Sequence, residues 1–128
     1  INVSTVTLDY LYSYYNLKPD LVKIDVEGAE TLVIEGATTL AEQTKCTFFV
    51  EMHNLKNLPM EKAAEKMIAW SKKIGYKVWY LKTGEELTNG EPVKMRGRCY
   101  LLLLPKEKAY FSYLKGIEQN APLPETLF

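Results

Sequence analysis

The sequence predicts an α/β fold in which a parallel sheet is closed by an antiparallel pair of strands. Helical and strand patterns alternate from residue 8 to residue 81, which is typical of parallel strands joined by crossover helices. The stretch over residues 83–97 contains three glycines and one proline and is too short for a crossover helix of ordinary length. The two strands that flank it are therefore expected to run antiparallel.

The first half of the chain shows two helical patterns around one strand pattern. Thr7 is a suitable cap for the first helix, which must end near Lys18-Pro19 because proline disfavours a helical residue before it. A strand is predicted over residues 21–26 and, after Gly28, a helix over residues 29–40. The apolar stripes of the two helices are Leu8, Leu11, Tyr12 and Tyr15 in the first, and Ala29, Leu32, Val33, Gly36, Ala37 and Leu40 in the second.

The second half is predicted to contain strands over residues 47–50, 76–81 and 98–104, a polar loop over residues 53–58, a helix from Pro59 to about Gly75, and a short helix over residues 106–117. The tail, which contains Pro122 and Pro124, is expected to be a loose end. If the last strand lies antiparallel beside residues 47–50, Cys46 and Cys99 are at opposite ends of it and cannot form a disulfide.

Composition and charge narrow the class of protein. Sixteen basic residues balance sixteen acidic ones, which argues against nucleic acid or an anionic membrane surface as a partner. No apolar run approaches the roughly 20 residues that a spanning helix needs. Two cysteines without framework or metal-ligand spacing predict a reducing, cytoplasmic compartment. The start at Ile1, with no signal peptide pattern, is interpreted as a cut in a longer sequence.

Polar side chains follow two of the predicted parallel strands. Asp25, Glu27 and Gly28 come at the end of the first strand, and Glu51 and His53 come at the end of the next. Ligands of open α/β sheets bind beyond the carboxyl ends of parallel strands, so these side chains are expected to converge on one rim. Histidine suits general base catalysis near neutral pH, and the carboxylates could orient it, bind substrate hydroxyls or hold a divalent metal.

Each of these residues also has a purely structural interpretation. Glu27 and Glu30 fall in the predicted first helical turn, where the helix dipole favours negative charge. Asp25 could pair with Lys23 on the same strand face, Gly28 could serve only the turn, and His53 could be an ordinary loop residue. Their joint position on one rim favours a functional site.

Two segments resemble the FkbM family of methyltransferases. These are T-V-T-L-D at residues 5–9 and K-I-D-V-E-G-A-E at residues 23–30, followed by the pair Gly36-Ala37 and the strand end F-V-E at residues 49–51. His53 continues the similarity, which is close from about residue 3 to residue 54 and holds beyond that only in the pattern of elements.

The resemblance implies a Rossmann-like methyltransferase fold of three layers, α/β/α, with an antiparallel closing strand. Residues 1–128 would form a single partial domain that supplies strands four to seven. The implied reaction is transfer of a methyl group from S-adenosylmethionine to a hydroxyl oxygen of a sugar or polyketide-like acceptor. The glycine-rich turn and the ribose-binding acidic residue of such folds would lie upstream of Ile1, so the fragment alone is expected to be inactive.

The resemblance also implies roles for the rim residues. His53 is the expected base, with Asp25 second and Glu51 as a further catalytic residue, and Asp25, Glu27 and Gly28 are expected at the cofactor. No metal ligand is assigned, although the use of a metal stays open.

Two other functions remain compatible with the sequence. Asp25-x-Glu27 after a strand is also similar to the acidic motif of metal-dependent, nucleotide-sugar glycosyltransferases. Alternatively, the chain is a non-catalytic interaction module, whose exposed sheet edge would pair with a second copy or with an upstream half-domain.

Overall fold

The computed structural model of the chain describes residues 1–116 and shows a mixed α/β fold with a five-stranded sheet. The strands are β1 (Leu21–Ile24), β2 (Thr47–His53), β3 (Tyr76–Tyr80), β4 (Glu85–Glu86) and β5 (Arg98–Pro105). The helices are α1 (Leu8–Tyr15), α2 (Glu30–Glu35), α3 (Thr38–Thr44) and α4 (Met60–Lys73), with 3-10 turns at Glu91–Val93 and Ser112–Gly116.

The strand order is β1-β2-β5-β3-β4. β1 and β2 are parallel, whereas β5 runs antiparallel to both β2 and β3. The predicted antiparallel pairing of the strands that flank residues 83–97 is therefore confirmed, and β5 also lies beside β2. The short β4, which the sequence patterns did not predict, pairs with the end of β3 after a tight turn at Gly84 (φ 70°).

β2 is three residues longer than predicted. Glu51, Met52 and His53 stay in the ladder because β5 continues opposite them, pairing His53 with Arg98 and Glu51 with Tyr100. The prediction that His53 opens a loop is therefore wrong. β1, in contrast, ends two residues early at Ile24, so Asp25 lies in the turn that follows.

The helix predicted over residues 29–40 is two helices, α2 and α3, and the single-helix prediction is wrong. The backbone N–H of Asp9 donates to the carbonyl oxygen of Gly36 (2.8 Å), which removes that oxygen from a continuing helix. The Asp9 carboxylate then accepts the N–H groups of Thr39 (3.1 Å) and Leu40 (2.8 Å) and so starts α3. Thr7 caps α1 as predicted, accepting the N–H of Tyr10 at 3.0 Å.

The helix predicted over residues 106–117 is also wrong within the described residues. After β5 the chain turns, with the N–H of Lys106 donating to the carbonyl oxygen of Gly75 (2.9 Å), and regular structure returns only as the 3-10 turn Ser112–Gly116. The ring of Tyr110 packs on Trp79 with centroids 5.0 Å apart, which holds this segment on the sheet face. Ile117 lies outside the described residues.

The core lies on one face of the sheet. Alternate strand residues pack with α2, α3 and α4 in a single cluster whose fully buried members include Ile24, Phe48, Val50, Met52, Leu101, Leu103, Ile34, Leu40, Met60 and Met67. On the opposite face a groove of about 230 Å³ lies between Leu21, Phe49, Leu102 and the segment around Phe111 and Leu114. A second helical layer over that face stays a prediction.

The two cysteines are buried and free, as predicted from their places in the sheet. Cys99 pairs with Met52 in the register, while Cys46 precedes the other end of β2. Burial raises the pKa of both thiols, that of Cys99 to about 12, so neither is a reactive thiolate at neutral pH. No helix formed by residues 1–116 is long and apolar enough to cross a membrane.

Candidate functional site

A cluster of polar side chains occupies the rim where β1 and β2 end. His53 Nε2 lies 3.6 Å from a Glu27 oxygen, 3.8 Å from a Glu51 oxygen and 3.9 Å from an Asp25 oxygen. The parallel pairing of β1 and β2 accounts for this arrangement, because it brings the two carboxyl ends to one edge. The four residues named from the sequence are thus neighbours, while their catalytic roles stay predictions.

The turn after β1 has an unusual backbone. Glu27 (φ 54°) and Gly28 (φ 111°) both have positive φ, and α2 begins only at Glu30. Glu27 therefore lies before the helix, and the prediction that it falls in the first helical turn is wrong. The positive φ favours glycine at this position, and a side chain would place its Cβ 2.7 Å from the Leu55 side chain, which would have to move.

Glu30 is the part of the site that the sequence interpretation missed. Only 2% of its surface is exposed, and its Oε1 lies 2.7 Å from His53 Nδ1. The same oxygen accepts the backbone N–H of Gly28 at 2.9 Å. The helix dipole accounts for an acidic residue at this position even if its side chain is exposed, so burial was not predicted. The signal for burial was the i,i+4 spacing from Glu30 to the apolar Ile34, which places both on the inward face of the helix.

β5 adds two side chains that were also missed. The Arg98 guanidinium lies 3.2 Å from Glu51 Oε1, and the Tyr100 hydroxyl donates to the same oxygen at 3.4 Å. Arg98 also lies over the Tyr100 ring, 5.9 Å from its centroid. The sequence interpretation placed neither Arg98 nor Tyr100 in the site. If the predicted second strand had been extended from Val50 to His53, antiparallel pairing with β5 would have placed Arg98 opposite His53.

Asp25 has the neighbour that the structural interpretation proposed. Lys23 Nζ lies 4.0 Å from its carboxylate, with 60% and 36% of the two side chains exposed. Exposed pairs at this distance contribute little to stability. Asp25 is therefore free to interact with a ligand at the rim.

The electrostatics of the rim act mainly on His53. The hydrogen bond with Glu30 and the negative charges of Glu30, Glu27 and Glu51 raise the pKa of His53, outweighing burial, which lowers it. An imidazole of this kind can accept a proton from a substrate hydroxyl and hold it between carboxylates. Asp25, Glu27 and His53 each also offer one ligand atom within 4.8 Å of the others, a spacing that could hold a metal ion.

Comparison with known proteins identifies the family. The family profile described as the methyltransferase FkbM domain matches residues 1–78, which run from before α1 into β3 and include Asp25, Glu27, Glu30, Glu51 and His53. No curated protein and no solved structure matched the chain. Because the profile covers more than half of the sequence, the chain belongs to the FkbM methyltransferase family.

Proposed function

We propose that this chain is part of an S-adenosylmethionine-dependent O-methyltransferase in which His53 is the general base. The observation that carries the proposal is the position of His53 Nε2, at the end of β2 and 3.6–3.9 Å from three carboxylates. A base at this position could reach a hydroxyl bound beyond the carboxyl ends of β1 and β2. Membership of the FkbM methyltransferase family supports the reaction class.

The rim suits the charge of the cofactor. S-adenosylmethionine, when bound, supplies the electrophilic methyl group and carries a positive sulfonium centre. Asp25 and Glu27 are the exposed carboxylates, and we assign them to the cofactor and acceptor. Gly28, in contrast, is accounted for by its φ of 111° and the contact with Leu55, so its proposed part in cofactor binding is limited to shaping the turn.

The residues of the rim would share the work of methyl transfer. With the cofactor bound as methyl donor, His53 Nε2 would take the proton of the acceptor hydroxyl, and the rim would hold that hydroxyl in position. Glu51 is held in place by Arg98 and Tyr100 on β5. The acceptor class implied by this arrangement is a neutral hydroxyl compound, such as a sugar or a polyketide-like product, because an anionic acceptor would be repelled by the carboxylates.

The whole enzyme is proposed to be a three-layer Rossmann-like methyltransferase. Among the described residues, β1 pairs on one side only, with β2. Its outer edge could accept a strand of upstream sequence or of a second copy, and the groove face beside Leu21 and Phe49 could accept a further layer.

One other catalytic function has an observation in its favour. The Asp25, Glu27 and His53 ligand atoms could hold a divalent metal, as a metal-dependent glycosyltransferase would require. The family match weighs against that reaction. Binding of a nucleoside diphosphate that depends on Mn²⁺, with no binding of S-adenosylmethionine, would favour it.

Calorimetric titration of S-adenosylmethionine tests the proposed function. The two samples are the 128-residue chain and a version extended upstream, which carries the region where the family's glycine-rich turn is expected. We expect binding to the extended version, weakened by about tenfold in Asp25→Asn because a charge-assisted contact is lost. Glu85→Gln, on exposed β4, is the matched control and should bind normally. Binding to neither sample contradicts the proposal.

A further inference from the structure

Glu30 is a buried carboxylate whose basic partner in the described part of the chain is a histidine. Its exposed fraction is 2%, and burial of an unpaired carboxylate is costly, so its contacts must stabilise the charge. Glu30 Oε1 lies 2.7 Å from His53 Nδ1 and accepts the N–H of Gly28 at 2.9 Å. His53 is held by β2, and Gly28 by the turn before α2. The carboxylate is therefore held in one orientation.

The two ring nitrogens of His53 have different surroundings. Nδ1 lies at hydrogen-bond distance from Glu30, while Nε2 lies 3.6–3.9 Å from the oxygens of Asp25, Glu27 and Glu51, too far for a hydrogen bond. An ionised carboxylate can only accept, so the hydrogen of this contact must be on Nδ1. In a neutral imidazole this leaves the lone pair on Nε2.

We propose that Glu30 is the positioning residue of the site, holding neutral His53 in the tautomer with hydrogen on Nδ1, so that the Nε2 lone pair faces the rim. The placement of the hydrogen stands on the geometry alone, whereas its use in methyl transfer rests on the proposed function. In that reaction the O–H bond of the acceptor breaks, its proton bonds to Nε2, and the Nδ1 hydrogen stays in place. The resulting imidazolium is stabilised by Glu30, and its added proton leaves to solvent afterwards.

The other carboxylates do not fit this role. Glu51 Oε1 forms an ion pair with Arg98 and accepts the Tyr100 hydroxyl, and Asp25 lies beside Lys23. Glu27 is exposed over 84% of its side chain and is too far from Nε2 to orient the ring. The carboxylate that orients the base is therefore Glu30, the last residue of the K-I-D-V-E-G-A-E segment. It lies beside Nδ1, whereas the other carboxylates lie beside Nε2.

The tautomer can be measured directly, because His53 is the single histidine of the sequence. The chain is labelled with ¹⁵N-histidine, and long-range ¹H–¹⁵N spectra are recorded at a pH where the imidazole is neutral, with a chelator present. We expect a protonated Nδ1 and a bare Nε2. In Glu30→Leu, which removes the acceptor, the ratio of the two tautomers should shift by roughly tenfold or more toward hydrogen on Nε2.

Two further variants separate positioning from charge and from folding. Glu30→Gln keeps an acceptor oxygen but loses the charge, so we expect the Nδ1-H tautomer to persist while the imidazole titrates at lower pH. Glu27→Gln removes a nearby charge without a hydrogen bond and should keep the wild-type tautomer. Hydrogen on Nε2 in the wild type, or an unchanged tautomer in a folded Glu30→Leu variant, overturns the proposal. If this chain shows the expected tautomer but S-adenosylmethionine binds to neither sample above, the reaction fails and the placement of the hydrogen stands.

Discussion

At the scale of single residues, the rim shows that one carboxylate can differ from its neighbours through burial alone. Glu30 and Glu27 are three positions apart in the same segment, yet one is 2% exposed and the other has 84% of its side chain exposed. The sequence identified Asp25, Glu27, Glu51 and His53 through the rule for parallel strand ends. Glu30 was missed because the helix dipole already explains an acidic residue at this position, so no further role was sought for it.

The raised pKa of His53 predicts a pH dependence of stability. The protonated imidazole stabilises the folded chain, and this contribution is complete below the unfolded value of about 6.5 and is lost as the pH rises through the folded pKa. We therefore expect the difference in unfolding free energy between the wild type and His53→Gln to be larger at about pH 5.5 than at about pH 8.5. Urea unfolding of both proteins at the two pH values, with a chelator, measures it. An equal difference at both would contradict the assignment.

Gly28 predicts a second residue-level effect. Alanine there would have to adopt a φ of 111° and would meet the Leu55 side chain at 2.7 Å, so Gly28→Ala should lower the unfolding free energy by about 1–2 kcal/mol. Gly97→Ala is the control, since its Cβ would meet no atom within 4 Å, and a change within about 0.5 kcal/mol is expected. Equal effects of the two substitutions in urea unfolding would show that the turn after β1 is not constrained as described.

At the scale of elements, the sequence located α1, α4 and the four longer strands, but it merged α2 and α3 into one helix and predicted a final helix that residues 106–116 do not form. Periodicity runs straight through Gly36-Ala37 because both residues are small and suit the buried stripe of one helix. The break comes from Asp9, about thirty residues earlier in the chain, whose backbone and carboxylate bind both sides of the junction. The length of β2 depends likewise on β5, far away in sequence. Neither the contact of Asp9 with the helix junction nor the pairing of β5 with β2 can be predicted from the local sequence pattern.

The contact between Asp9 and α3 predicts a measurable loss on mutation. Asp9→Ala removes the acceptor for the N–H groups of Thr39 and Leu40 and should destabilise the fold by about 0.5–2 kcal/mol. Glu42→Ala, on the exposed side of α3, is the control and should change stability by less than about 0.5 kcal/mol. Urea unfolding distinguishes the two. If Asp9→Ala matches the control, then the T-L-D segment has another purpose.

At the scale of the whole molecule, the fold has its core on one side of the sheet. The sequence predicted a parallel part of the sheet closed by an antiparallel strand pair, because loop length and composition restrict how strands can connect. It could not predict how the second face is covered. Leu21, Phe49 and Leu102 on that face are apolar, but apolar residues alone do not identify the segment that packs against them.

Adjacent residues of β2 offer a test of the one-sided core. Phe48 is fully buried beside Trp70 and Tyr76, whereas Phe49 is half-buried and stacks on Tyr100. Phe48→Ala should cost about 3–5 kcal/mol of unfolding free energy, and Phe49→Ala about 1–2 kcal/mol. Urea unfolding of the two variants measures both, and equal losses would mean that the two faces of the sheet are buried alike.

The central place of β5 has a consequence for how the chain acquires its structure. β5 is the last strand in sequence among residues 1–116, yet it joins β2 to β3. During synthesis, β2 and β3 therefore wait without a shared neighbour until residue 105 has left the ribosome, and closing the sheet brings together segments about fifty residues apart. Such distant pairing is slow, so we expect a nascent chain to expose one unpaired edge of β2 and one of β3 until β5 has been made. A nascent chain that stops before β5 contains α1 to α4 but lacks the strand that joins β2 to β3 in one sheet.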